Sequence, residues 1–371
     1  MTFEEFMEEP VNSAYALLAS DLKRLKETLS VKTLEELINI GNEPYNMPFQ
    51  SVVNKEKIVF VKDKHDYESF SIYSWPNPNT IDGLPYIKRD GYQNPEHLMN
   101  DKKALRAVAY IVYVLGILYY FTKDKKYYQK LKDHLNVFFI NPETKMNPHL
   151  NHGQALPGVN DGQSGGIIDF AVSFGYTLSI LTALKNEQLL ENNLVASLSK
   201  WLDEFLKWLL EDDFGKDMAI KKNNHSLVYD YVVLIISLFL KRDKNVDEVK
   251  NRYFSRIASQ IKEDGLMPEE LKRNKSRSYF FMNLKLFIEI GRLLEIDIKN
   301  ISALSNAFRY YLNHDSEEKW EYPQVKKFIE VQDNYMYYIN KTNFGYGMRE
   351  LKKSNGIHYL LFKDYWGKAW S

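Results

Sequence analysis

Apolar residues recur at helical spacing along most of this chain. Leu17, Leu18, Leu22, Leu25 and Leu29 fall on one face of a helix predicted over 14–29, and a second pattern runs over 31–40. Further helices are predicted over 101–122, 125–139, 166–185, 192–210, 226–240, 246–263, 278–294 and 301–312. Most of them come in pairs, one nearly all apolar and the next amphipathic: 107–121 then 127–139, 167–184 then 194–210, 227–240 then 249–261. A helix that is apolar all round has to be buried, and a striped one is half exposed. Alternating the two predicts an all-α fold, a double-layered helical barrel. No strict repeat is visible, which argues against a regular solenoid.

The stretch 70–96 breaks the pattern. SFSIYSWPNPNTIDGLPYIKRDGYQNPE carries four Pro and two Gly, with several Asn and Asp, and is predicted to be a long ordered loop. A loop of that length inside a compact domain is functional or disordered, and its aromatic content favours order. The tail, about 335–371, mixes Tyr, Gly and Lys without periodicity and is expected as a hairpin or an irregular cap. No interdomain linker is evident, so residues 1–371 are expected to form one domain.

Charge removes several classes of function. Lys plus Arg and Asp plus Glu each number 49, giving a formal net charge of +0, without the basic excess of a nucleic-acid binder. The longest uncharged apolar run, 107–121, is short of a membrane span and is bracketed by Lys102, Lys103, Arg106 and Lys123; it reads as a buried helix, and no membrane partner is expected. There is no Cys, so disulfides and thiolate metal sites are excluded. MTFEEFMEEPVN is acidic and has no apolar core, so a cytoplasmic location is expected, or a periplasmic or secreted one if a leader has been removed. Aromatics reach 14%, which fits a Tyr-rich core and, equally, a cleft paved with rings on which sugar faces stack. The sequence leaves the oligomeric state open.

Four loop segments hold nearly all the unusual polar residues: 75–96, 141–169, 223–229 and 264–279. At one end of a helical barrel such loops converge on the central cleft. Asn223, Asn224, His225 and Ser226 directly precede an apolar helix. The plain explanation is a helix cap made by Asn224 or Ser226, with His225 a bystander. The chemical one uses the same place: a helix N-terminus disfavours the imidazolium, leaving a neutral His beside an Asn. In DGLMPEELKRNKSRSY, Lys272, Arg273, Lys275 and Arg277 precede Tyr279. A solvated basic loop is the usual fate of such a run. Alternatively, the cations attract an anionic chain and pull the Tyr279 phenol down from about 10. His149 and His152 are three apart, but Pro148 before them and Gly153 after make a helical metal-ligand pair a poor fit, and no metal is expected. The 75–96 loop offers Trp75 as an aromatic platform with Asn77, Asn79, Asp82 and Arg89; otherwise it is a rigid lid held by proline.

Taken together, SWPNPNTIDGLPYIKRDGYQNPE, NPETKMNPHLNHGQALPG, KKNNHSLVYD and DGLMPEELKRNKSRSYFFMN resemble, in order and spacing, the alginate lyase family with an (α/α) toroid fold. The resemblance spans about 74–292. It implies an incomplete double-layered helical barrel with a groove for an acidic polysaccharide, and a cofactor-free reaction. It also implies roles. Asn224 and His225 match the pair that neutralises a uronate carboxylate. Tyr279 matches the catalytic tyrosine. Arg273 is the better match for the arginine before it, with Arg277 the competitor. Asn223, Gln154, His152, Trp75, Asn77 and Tyr229 are the further expected substrate contacts. Ser226–Asp230 replaces the small-aromatic run that usually follows the His, which bears on substrate preference.

The chemistry explains why such residues would be needed. β-Elimination takes the proton on C5 of a uronate and expels the oxygen on C4. Neutralising the adjacent carboxylate and stabilising the enolate is the largest requirement. In mannuronate or glucuronate the C5 hydrogen and O4 share a face, so one tyrosine that arrives ionised can serve both steps. In guluronate they lie on opposite faces, and His225 would be the base with Tyr279 as acid. Two rivals are a glycoside hydrolase on a helical barrel, which needs two facing carboxylates among Asp161, Asp169, Asp230, Glu269 and Glu270, and a non-catalytic glycan-binding protein.

Overall fold

The computed structural model describes residues 16–55, 58–98 and 101–313. Its helices are α1 (Ala19–Thr28), α2 (Val31–Asn46), α3 (Asp101–Thr122), α4 (Lys125–Leu135), α5 (Tyr176–Asn186), α6 (Asn192–Glu211), α7 (Asp213–Ile220), α8 (Asn224–Leu240), α9 (Asp243–Gln260), α10 (Pro268–Leu271), α11 (Ser276–Leu293) and α12 (Ser302–Asn313). The inner layer runs α3, α5, α8, α11, each packed against the next. Outer helices cover it: α2 and α4 lie on α3, α6 and α9 on α8, and α12 on α11. This is the all-α toroid that the alternation of apolar and striped helices predicts.

Burial follows the same division. In α3 every residue from Ala104 to Tyr120 is buried, and in α8 every residue from Ser226 to Ser237. The segments Asp101–Thr122 and Ile168–Asn186 are long and apolar enough to cross a membrane, but 94% and 78% of their apolar windows are buried inside the fold, so they are core. Gly175 lets α5 and α8 approach closely, because a Cβ there would lie 2.6 Å from the Tyr231 ring.

Several boundaries differ from expectation for identifiable reasons. The predicted 166–185 helix begins as a short turn, Ile168–Phe170, and a π-helical turn, Ala171–Gly175, before α5. Likewise α4 ends in a π turn, Asn136–Ile140. The 31–40 helix continues through Pro44 to Asn46. Helix α7 has a weak apolar pattern that hides it in the sequence, and Asp212 caps it by accepting from the Phe214 N–H. The 335–371 tail lies outside the described residues.

The 70–96 segment is ordered, and it contains strands that its composition conceals. β1 (Glu68–Phe70) pairs in parallel with β4 (His152–Ala155). β2 (Ser74–Trp75) and β3 (Ile87–Lys88) form an antiparallel hairpin, with Ser74 opposite Lys88 and Trp75 opposite Ile87. Side chains then pin the hairpin: Asn94 Nδ2 donates to the Ser74 carbonyl at 2.7 Å, and the Tyr86 hydroxyl to Glu96 at 3.1 Å. The Tyr86 N–H bonds the Pro157 carbonyl, seating the hairpin on the 141–169 segment. Beneath β1 and β4 lies a buried ionic knot, in which Asp169 accepts from Lys102 (3.0 Å), Ser69 (2.5 Å), Tyr67 (3.0 Å) and Gln154 (2.9 Å).

Candidate active site

The first turn of α8 is bonded to the short helix α10, which leads into the loop before α11. Asn223, neither Asn224 nor Ser226, is the cap: its side chain accepts from the His225 N–H at 3.1 Å. Asn224 therefore starts the helix. Its N–H and Nδ2 both donate to the two oxygens of Glu270, at 2.8 and 3.1 Å.

Across from them, the Arg273 guanidinium lies over the Tyr279 ring, 3.7 Å from its centroid. Its Nη2 and Nε bond Asp90 of the hairpin at 2.5 and 3.3 Å. Tyr73, just before β2, neighbours the Tyr279 phenol and acts on its ionisation. The cluster is thus assembled from three of the four loop segments. Its members Tyr73, His225, Arg273 and Tyr279 are all part-exposed.

Burial and neighbouring cations hold the His225 imidazole well below its ordinary value, at about 4; Arg273, Lys221 and Lys88 act in the same direction. It is a neutral acceptor at pH 7, as its helix-terminal position predicts, though burial is the larger cause. Tyr279 departs from expectation. Burial comes first and the neighbouring Tyr73 second, and together they push the phenol up, outweighing the pull of Arg273. The cations do not ionise it. The expectation that the phenol arrives ionised is corrected, and in this arrangement it is a proton donor. Glu270, 1% exposed, is raised to about 7 by burial, against the bonds from Asn224 and the charge of Arg273.

The remaining sequence candidates fall elsewhere. Asn224 is 1% exposed with its Nδ2 committed to Glu270, so the direct grip on a carboxylate expected of it is not presented in this arrangement. Tyr229 is 5% exposed, and Arg252 of the outer helix α9 covers its ring; it belongs to helix packing and not to a substrate surface. Asn77 spends its Oδ1 on the Asn79 N–H in a turn. Gln154 is drawn inward to Asp169, and His152 Nδ1 sits 3.3 Å from the Gly162 carbonyl, with the ring stacked on Phe60. Trp75 donates to the Tyr92 carbonyl, while Arg89 lies over its ring. Arg277 is in the first turn of α11, and its side chain lies outside the described residues; Arg273 is the arginine on Tyr279.

Three contributors escaped the sequence: Tyr73, Asp90 and Glu270 as a partner of Asn224. Only Glu270 had a signal, as an acid beside a proposed basic site. Of the five carboxylates open to a hydrolase, four are engaged, Glu270 with Asn224, while Asp161 is exposed. Asp169 is bound to Lys102, Asp230 to Arg252 and Arg256, and Glu269 to Lys272. His149 pairs with Asp66, and among the described residues no group of three or more His, Asp or Glu is placed to hold a metal ion.

Comparison with known proteins agrees with this architecture. Residues 53–319 match the family described as alginate lyase. Among solved structures, an alginate lyase from Bacteroides ovatus superposes with a TM-score of 0.76 at 29% identity, covering 93% of this chain and 97% of that one. Alginate lyase A1-III from Sphingomonas species A1 matches at 16% identity with a TM-score of 0.46, over 84% of this chain and 81% of that one. A variant of A1-III complexed with a tetrasaccharide matches at 15% identity and 0.48, over 84% and 79%. No curated protein matches. The family match and the shared fold make this a toroid enzyme of the polysaccharide lyase class. The chain belongs to the alginate lyase family.

Proposed function

We propose that this lyase cleaves an acidic, uronate-containing glycan, alginate (polymannuronate) or a glucuronan-like polymer, by metal-independent β-elimination. The observation that carries the reading is the Arg273 guanidinium seated on the Tyr279 ring, with the neutral His225 imidazole near enough to feel its charge. Arg273 and His225 would contact the carboxylate and stabilise the enolate, with Asn224 and Glu270 supporting the turn that carries His225. Tyr279 would protonate the departing O4.

The resting protonation states fit guluronate without adjustment: His225 accepts the C5 proton and Tyr279 gives one up. For mannuronate or glucuronate, Tyr279 must first give its proton to solvent water, a loss that Arg273 on its ring eases; the phenolate then takes the C5 proton and hands it to the departing O4. The family supports alginate-type substrates, and the Bacteroides ovatus enzyme is an alginate lyase by description.

A panel of polymannuronate, polyguluronate, glucuronan and a glycosaminoglycan, assayed for unsaturated uronate with and without chelator, tests this directly. The expected result is ultraviolet-absorbing product from at least one polymer, unchanged by chelator. Water-adding cleavage without a new double bond would overturn the reading.

A further inference from the structure

We propose that Asp90 is a positioning residue that fixes the Arg273 guanidinium on the face of Tyr279. The inference rests on the site proposed above.

Asp90 stands 183 residues before Arg273, immediately past β3, and contacts the α10–α11 loop at four points. Oδ1 accepts from Nη2 at 2.5 Å and Oδ2 from Nε at 3.3 Å, the fork geometry in which a carboxylate fixes the plane of a guanidinium as well as its distance. Oδ2 also accepts from the Asn274 N–H at 3.0 Å, and the Asp90 carbonyl accepts from Asn274 Nδ2 at 2.9 Å. Gly91, at φ +83°, lets the backbones close up; a Cβ there would sit 3.3 Å from that of Asn274.

These contacts complete a ring of interactions. The Arg89 N–H bonds the Tyr73 carbonyl at 2.8 Å, which ties Asp90 to Tyr73 within the hairpin. Tyr73 neighbours Tyr279, Arg273 covers Tyr279, and Asp90 holds Arg273. A planar cation with both Nε and Nη2 engaged cannot swing off the ring without breaking two bonds. The carboxylate also offsets the guanidinium charge, in line with a phenol that stays protonated beside it.

A plain loop staple would make the same contacts, and the two roles separate experimentally. Loss of a staple frees the hairpin and raises KM. Loss of positioning lowers kcat, while removal of a negative charge leaves KM for an anionic chain unchanged or lower. We expect Asp90→Asn to lose about tenfold in kcat, the equivalent of one charge-assisted bond. Asp90→Glu should recover part of it, and Asn274→Ala should stay near wild type. Asp90→Asn added to Arg273→Ala should cost nothing further.

Additive losses in that double variant, or a raised KM with unchanged kcat, would overturn the proposal. So would a crystal structure of Asp90→Asn with the guanidinium still seated on the Tyr279 ring. That last readout needs no activity. If the wild type makes no unsaturated product, the lyase reading fails, and the crystal structure still decides what holds Arg273.

Discussion

The guanidinium of Arg273 rests 3.7 Å from the centroid of the Tyr279 ring, yet the phenol of Tyr279 is harder to ionise than a tyrosine in water. A cation over the ring face favours the phenolate by charge, but the phenol is largely desolvated and has Tyr73 beside it. Desolvation of a forming anion outweighs one cation that is already paired to Asp90. The site therefore rests with its acid loaded and its imidazole free.

Tyr279→Phe removes only the hydroxyl. The variant should keep its helical circular dichroism and lose the unsaturated product, with kcat down by about 10³-fold or more. Absorbance near the ultraviolet edge checks it, and full activity would remove Tyr279 from the reaction.

His225→Ala should lower kcat by about 10²–10³-fold and change binding of an oligouronate far less, because its contribution belongs to the enolate. Calorimetric titration beside steady-state kinetics separates the two quantities. Weakened binding with intact turnover would make His225 a ground-state contact instead.

Glu270 gives a pH signature. Its folded value, about 7, lies above the ordinary 4.5, so the fold favours its protonated form. That contribution is complete below about pH 4.5 and is lost as pH rises through about 7, a change on the order of 3 kcal/mol. Glu270→Gln cannot titrate, so its melting temperature should fall less than that of the wild type between pH 5 and 8. Parallel curves would contradict the assignment.

Asp169 is fully buried and serves four donors. Asp169→Ala strands Lys102 in the interior and should cost about 3–5 kcal/mol. Urea unfolding would show a lower midpoint, and activity should drop through loosening of β1 and β4, which seat the hairpin. An unchanged midpoint would mean that solvent reaches Lys102.

Amphipathic periodicity carried the architecture. The apolar runs of α3 and α8 and the striped helices beside them are local signals, because burial of a helix face is written every three or four residues. The Asn–His turn and the Arg–Tyr run were legible for a similar reason, each lying within a few residues of a helix start. What the sequence by itself determined, then, was an all-helical barrel and four polar loops carrying His225, Arg273 and Tyr279. Tertiary structure alone decided that Asp90 and Tyr73 meet Arg273 and Tyr279, that Glu270 draws Asn224 inward, and that Tyr229 packs against Arg252. It also reversed the expected ionisation of Tyr279. Charge adjacency can be read along a chain, but desolvation depends on atoms brought in from distant segments, and here it is the larger effect.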